Sequence, residues 1–319
     1  MIYHFCTLFD KNFLTRGLAL HRSLTEQCPD FILWMLCMDD ESYSLLGKLK
    51  LDKVKLLKLT AVEDDRLRAV KSTRTAVEYC WMFSSSLPLY ILEKNPSLDM
   101  ITYLDADMYF YSPVDEIYQE FENNSIMIIP HGFSRKNQFR EKSSGLYNVG
   151  MMIFRNDHYS LACLSWWKDR CLEWCYNFYE DGKFGDQLYL NDWPTRFKKV
   201  YVLTNLGANV APWNIDRYRF RMKNGRTMGT EKITDKKFPL IFYHFHGLKI
   251  YMNDNGKISP YPVTMHEPQI YRLYIRALQE VYDHIRIIEP SWVYGCVKKL
   301  DIIRVIKQYI IIWTVKKYL

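Results

Sequence analysis

The sequence predicts an α/β protein, a mixed sheet flanked by helices and followed by a C-terminal helical extension. Three observations carry this expectation. The first forty residues alternate an apolar run, an amphipathic run and a second apolar run (Ile2 to Phe9, Phe13 to Leu24, Phe31 to Met38), the pattern of a βαβ unit. A later apolar run, Met100 to Leu104, ends directly in Asp105-Ala106-Asp107, so two carboxylates fall at a strand's carboxyl end, where open α/β sheets bind ligands. The chain's 319 residues, 48% of them hydrophobic, suffice for one large core in one domain or at most two.

The remaining elements follow from the same periodicities. Val54 to Leu59 reads as a weaker third strand, and Val77 to Leu92 as a helix that stops near Asn95-Pro96. Ser125 to Ile129, Val149 to Phe154, Val200 to Leu203 and Leu240 to Phe245 read as strands, and Leu161 to Phe178 as a helix. Their order is mixed, which predicts an antiparallel element in the later sheet. On that helix, Trp166-Trp167 and the Cys171 to Cys175 stretch read as core. Asn224 to Lys237 is polar and lacks apolar periodicity, so a mobile loop is expected there. Gln269 to Ile287 is helical in pattern, and a last helix is expected after Glu289-Pro290. The division that results is a catalytic domain over residues 1–258 and a helical extension over 259–319.

Composition narrows the function. Of the net charge of +7, five charges fall between Ser291 and Leu319, so no basic stripe crosses the body and nucleic acid is not the expected partner. Eight cysteines show neither CxxC pairs nor zinc-type spacing, which fits a reduced compartment. The N-terminal MIYHFCTLFD lacks the basic and apolar regions of a signal peptide, and a cytoplasmic location is the expectation. Aromatic residues make up 16% of the chain, favouring flat polar ligands such as sugars and bases. In the tail, Ile302, Ile303, Val305, Ile306, Tyr309, Ile310, Ile312 and Trp313 share one face, with lysine pairs at both ends. The apolar run is too short to span a bilayer. Two readings stand: the helix docks on protein, or it lies in the interface of a membrane's inner face.

Chemistry concentrates at Tyr103 to Asp107. An Asp-X-Asp at a strand end offers hard oxygen ligands that hold Mg²⁺ or Mn²⁺ against a diphosphate. The pair is wedged between hydrophobic residues, where unpaired charge is expensive and calls for a cation. Asp39-Asp40 and Asp64-Asp65, by contrast, read as solvated turns. A second candidate segment, Tyr243-His244-Phe245-His246-Gly247-Leu248-Lys249, supplies imidazoles, a small residue and an ammonium after another apolar run. Gly207 to Asn214 joins small and amide residues to a Trp, which reads either as a sugar-binding wall of Asn209, Trp213 and Asn214 or as a structured turn around a core Trp. His131-Gly132 reads as an ordinary turn.

In this order the segments resemble the GT-A class of nucleotide-sugar glycosyltransferases, especially glycosyltransferase family 8 and transferases of bacterial surface polysaccharides, over residues 2–250. His4-Phe5-Cys6-Thr7-Leu8-Phe9-Asp10 is similar to the class's first strand, where backbone and an acidic side chain meet the nucleotide base. Leu104-Asp105-Ala106-Asp107 resembles the DxD strand, Asn148-Val149-Gly150 the Asn-X-Gly segment, Phe184-Gly185-Asp186-Gln187 the donor-sugar site, and His244-Phe245-His246-Gly247 the His-Phe-X-Gly metal stretch. The resemblance implies a Rossmann-like GT-A sheet and a metal held by Asp105, Asp107 and His244. It implies donor contacts from Phe5, Cys6, Thr7, Asp10, Asp105, Ala106, Asn148, Gly150 and Gly247, and catalytic roles for Asp186 and Gln187. Lys249 would reach the diphosphate, although the family's Lys lies one place later and its Pro-Trp is missing here. The family's Arg in the preceding helix is also absent, and Arg74 or Lys71 stands in for it.

The expected function is therefore transfer of a sugar from a nucleotide diphosphate donor, a UDP-sugar foremost, to a glycan or lipid-linked acceptor, with retention favoured. Two other classes stay open at this point. One is a sugar nucleotidyltransferase, although Phe9-Asp10-Lys11-Asn12-Phe13 stands where such enzymes carry a Gly-rich phosphate loop. The other is a non-catalytic carbohydrate-binding protein.

Overall fold

The computed structural model describes residues 2–253, 255–260 and 268–297; the predicted tail helix from 298 onward lies outside the described residues. The first half of the chain alternates strand and helix: β1 (Tyr3–Phe9), α1 (Leu14–Gln27), β2 (Phe31–Cys37), α2 (Asp40–Leu49) and β3 (Val54–Lys58). These three strands pair in parallel, as a βαβ unit requires. Two short helices follow, α3 (Leu59–Val62) and α4 (Asp65–Val70). The acidic pairs expected to be solvated turns are helix starts instead: Asp39 accepts from the Ser42 amide at 2.7 Å and Asp64 from the Leu67 amide at 2.9 Å.

The helix predicted over Val77 to Leu92 is two, α5 (Ala76–Trp81) and α6 (Phe83–Lys94). Pro88 sits inside α6 and has no N–H for the Ser84 carbonyl. At the break, the hydroxyls of Ser85 and Ser86 donate to the Met82 carbonyl. Next come β4 (Met100–Leu104), β5 (Met108–Phe110), α7 (Asp115–Phe121), β6 (Ile126–Pro130), α8 (Glu141–Ser144), β7 (Tyr147–Arg155) and α9 (His158–Glu173). Asp157 caps α9 through the amides of Tyr159 and Ser160, which moves this helix upstream of the predicted Leu161 to Phe178. The remaining segments are α10 (Trp193–Arg196), β8 (Val200–Val202), β9 (Tyr218–Lys223), β10 (Arg226–Glu231), β11 (Lys237–Pro239), β12 (Phe242–His244), β13 (Ile250–Met252), β14 (Ile258–Pro260) and α11 (Pro268–Ile288).

The central sheet has the order β3-β2-β1-β4-β7-β6-β8. β7 runs antiparallel to both β4 and β6, which is the antiparallel element the mixed order predicts. α6 and α9 pack on one another, with α6 against β4. α1 packs against β5 and α11, and Tyr274 and Leu278 of α11 are fully buried in that core. The expected mobile loop at Asn224 to Lys237 is folded: β9, β10 and β11 form an antiparallel sheet. Its hairpin turns on Asn224-Gly225, both with positive φ, as a tight two-residue turn demands. Among the described residues no helix is long and apolar enough to cross a membrane.

The second small sheet pairs β5 with β12, opposing His244 to Met108. Its other flank is held by Gly207, whose carbonyl accepts from the Ile241 amide at 2.8 Å. A Cβ on Gly207 would stand 2.0 Å from the Pro239 carbonyl oxygen, a backbone atom that cannot yield. Gly207→Ala should therefore cost about 1–3 kcal/mol, read as a lower urea midpoint at unchanged slope; an unaltered midpoint would show that this approach is not a constraint.

Candidate active site

The site is assembled where β4 ends. The Asp105 amide donates to the Gly150 carbonyl on β7 at 2.8 Å, and the chain then turns through Asp107 into β5. The Phe245 amide donates to the Asp107 carbonyl at 2.9 Å, so main-chain bonds join the acidic turn to the end of β12. Side chains meet accordingly: His244 Nε2 lies 3.1 Å from Asp107 Oδ1 and 3.6 Å from Asp105 Oδ2. Gly150 makes room for the imidazole, since a Cβ there would stand 2.8 Å from His244 Nδ1. Tyr103 donates its hydroxyl to Asp105 Oδ1 at 3.0 Å.

Asp107, His244 and His246 each offer a ligand atom, all within 4.8 Å of one another. His246 is absent from the predicted ligand set, which names Asp105 in its place. Neighbouring donors on an octahedral Mn²⁺ or Mg²⁺ stand roughly 3 Å apart, which the 3.1 Å between Asp107 and His244 meets. The residues present thus fit a divalent cation. Burial opposes ionisation of Asp107, but the adjacent imidazole overcomes it and holds the carboxyl below its ordinary range. Burial likewise opposes a charge on His244, and Asp107 pulls its pKa up.

A cavity of about 450 Å³ opens beside this cluster. Asp105, Ala106, Asp107, His244 and Gly247 form one side, the end of β1 with Asp10 and Asn12 another, and Phe13, Val77 and Trp81 an apolar third. Phe13 and Val77 are 43% and 53% exposed, large apolar surfaces turned toward a ligand-sized space. Asp10 is partly engaged, accepting from the amides of Asn12 and Phe13. Phe5, Cys6 and Thr7, predicted donor contacts, are fully buried in the sheet and off the cavity wall; Leu8, Phe9 and Asp10 at the strand's end line it instead. Arg74 points its guanidinium at the Tyr176 ring and hydroxyl rather than at the cavity. Lys249 is exposed and off the wall, because Leu248 takes the inward position beside it.

Asp186 and Gln187 are tied down behind the cavity. Asn148 receives the Gly150 amide on Oδ1 and donates to Gln187 Oε1 at 3.1 Å, while Gln187 Nε2 donates to the Ser144 carbonyl at 2.6 Å. Asp186, 6% exposed, accepts from Ser84 Oγ at 2.5 Å. Burial drives its pKa up, the Ser84 bond offsets part of this, and the charge of Asp105 adds to it, leaving the carboxyl at about 7.

The Gly207 to Asn214 segment is the structured turn of the two readings. Asn214 donates to the carbonyls of His131 and Asn209 and accepts from the Ala211 amide; Asn209 donates to the Pro130 carbonyl. Those amides are consumed and cannot form a sugar wall. Trp213 donates to the His131 carbonyl and meets the rings of His244 and His246 edge-on at 5.3 and 5.6 Å. It braces the imidazoles.

Sheet order, the acidic turn and the cavity at the end of β1 together define a GT-A glycosyltransferase fold. The galactosyltransferase LgtC, solved with donor and acceptor sugar analogues, superposes with a TM-score of 0.53 at 11% identity, covering 88% of this chain and 95% of LgtC. An active-site mutant of LgtC superposes with a TM-score of 0.52, also at 11% identity. At such identity the likeness establishes the fold alone. No family profile matches the sequence. The chain is 32% identical to the uncharacterized protein YfnF of Bacillus subtilis (strain 168) over 294 residues, 90% of this chain and 95% of YfnF. It is 30% identical over 302 residues to YfnD of the same organism, covering 93% and 95%. The chain belongs to the family of these two Bacillus proteins.

The raised Asp186 carboxyl has a consequence for stability. Because the folded pKa lies above the unfolded value, folding holds the proton, so stability is full below about pH 4 and is lost as pH rises through about 7. Asp186→Asn should match the parent near pH 4 and exceed it by on the order of 2–4 kcal/mol near pH 8, measured by chemical denaturation at both. A variant less stable at the higher pH would refute the buried, protonated carboxyl.

Proposed function

We propose that the chain transfers a sugar, a hexose foremost, from a nucleotide diphosphate donor, a UDP-sugar foremost, to a glycan or lipid-linked acceptor of surface polysaccharide or glycolipid synthesis. The observation that carries this reading is the meeting of Asp107, His244 and His246 on the wall of a cavity that runs to the end of β1. Phe13, Val77 and Trp81 offer apolar surface for the base, and Asp10 an acceptor for its donors or the ribose. When bound, a divalent ion supplies the positive charge that neutralises the departing diphosphate. Two imidazoles beside one carboxylate make a softer donor set than Mg²⁺ prefers, which favours Mn²⁺.

Retention of configuration is favoured by where Asp186 and Gln187 stand. An inverting transfer needs an ionised base within reach of the acceptor hydroxyl. Asp186 is buried, bonded to Ser84 and set back from the cavity wall, out of an acceptor's reach. Gln187 is fixed on both ends of its amide by Asn148 and Ser144 and carries no charge. Their work is to buttress the pocket from behind.

The purified protein with Mn²⁺ should bind or slowly hydrolyse at least one of a panel of nucleotide sugars. Asp107→Asn should lower that hydrolysis about 10²-fold or more with an intact fold, and His246→Gln should weaken Mn²⁺ binding about ten-fold. No binding or hydrolysis across the panel would sink the reading, and wild-type turnover in Asp107→Asn would remove the metal from it.

We further propose peripheral attachment to the inner face of a membrane through the basic tail, supported by its concentration of Lys and Arg around an amphipathic pattern. The full chain should co-sediment with anionic vesicles, and a chain ending at Val297 should not. Equal sedimentation of the two would assign the tail to protein contacts.

A further inference from the structure

The cavity wall carries Asp10, Asp105 and Asp107 but, among the described residues, no lysine or arginine. A nucleotide diphosphate brings at least two more negative charges, and one divalent ion cannot balance them all. The cations that sequence reasoning assigned to this task, Lys249 and Arg74, face elsewhere. Behind the wall, however, stands Arg16, on the first turn of α1 and only 7% exposed.

Among the described residues, Arg16 bonds only backbone carbonyls. Its Nη1 donates to the carbonyls of Asn12 at 3.1 Å and Gly295 at 3.4 Å, and its Nη2 to the carbonyl of Leu248 at 3.0 Å. Its guanidinium lies 4.6 Å from the centre of the Phe13 ring, itself part of the cavity wall. No ion pair joins it to a carboxylate among the described residues. Carbonyl oxygens take up three of its five N–H groups but leave its full charge unneutralised, and a buried charge is screened far less than an exposed one.

We propose that Arg16 is the fixed positive charge against which the donor's diphosphate is held, acting from beneath the wall rather than by direct contact. The assignment rests on the nucleotide-diphosphate reading of the cavity. It also accounts for the choice of partners: Asn12 is on the wall and Leu248 follows Gly247 on it, so the group that supplies the charge also fixes the two segments that frame the phosphates.

The test separates charge from scaffolding by the ligand it reads. With saturating Mn²⁺, calorimetry measures binding of UDP, GDP, ADP, CDP and dTDP and of their nucleosides to the wild-type chain, to Arg16→Gln and to Arg16→Lys. Arg16→Gln should weaken the preferred nucleoside diphosphate about ten-fold while leaving its nucleoside within about two-fold. Arg16→Lys, which keeps the charge and breaks the carbonyl bonds, should stay within about three-fold for the diphosphate. Equal weakening of diphosphate and nucleoside in either variant makes Arg16 a structural staple and overturns the proposal, as does an unchanged diphosphate affinity in Arg16→Gln. If Arg16→Gln does not fold, Arg16→Met, which also removes the charge but keeps an unbranched stem, is read against the same outcomes. A wild-type chain that binds none of the nucleotides overturns the donor reading itself, and the role of Arg16 with it.

Discussion

The pairing of two three-residue strands, β5 and β12, is the constraint on which the site depends. It joins segments more than a hundred residues apart and sets His244 opposite Met108, one position past Asp107. Side chains alternate along a strand, so a slip of one residue would send the imidazole to the opposite face. β12 is therefore gripped from both sides. On one side it pairs with β5; on the other, the Ile241 and His244 amides donate to the carbonyls of Gly207 and Val210. The turn that looked like a sugar wall is the clamp of this strand, and Trp213 completes it by packing on both imidazoles.

With that register fixed, the electrostatics divide the acidic groups by environment. Asp107 is buried beside an imidazole and stays ionised; Asp186 is buried beside a neutral hydroxyl, with the negative Asp105 in range, and keeps its proton to about pH 7. Two carboxyls driven apart in this way suit different ends: the ionised one can ligate a cation, and the protonated one cannot. The Tyr103 hydroxyl on Asp105 and the Ser84 hydroxyl on Asp186 are the local supports of that division.

What the sequence made legible, and what it hid, follows burial. β1, β2 and β4 are covered on both faces and read as continuous apolar runs. That same cover explains why Phe5, Cys6 and Thr7 belong to the core: a central strand meets a ligand only at its tip. β9 was hidden because it alternates buried and exposed residues with arginines outward, and polarity outweighed period; the Asn224-Gly225 signal was nonetheless present. β5 was hidden by its length and by its place directly after the acidic turn. His246 could have been found from spacing alone: residues two apart at the end of a strand project on the same side, so His244 and His246 were natural co-ligands. Nothing in the local sequence tells that Asn209 and Asn214 spend their amides on distant carbonyls, because those partners, Pro130 and His131, arrive from another strand.

That no lysine or arginine lines the cavity among the described residues has a physical advantage. A lysine on the wall would be solvated when no ligand is bound, would lose that water on binding, and would act through a flexible stem. A guanidinium already buried, and already bonded to the carbonyls of Asn12, Leu248 and Gly295, met its desolvation cost when the chain folded. Its field is oriented before any ligand arrives, which is the condition under which fixed charges act most strongly on a developing anion. On the proposed reading, a mobile positive charge, a divalent ion, would be held by Asp107, His244 and His246, and the permanent one lies in the scaffold beneath.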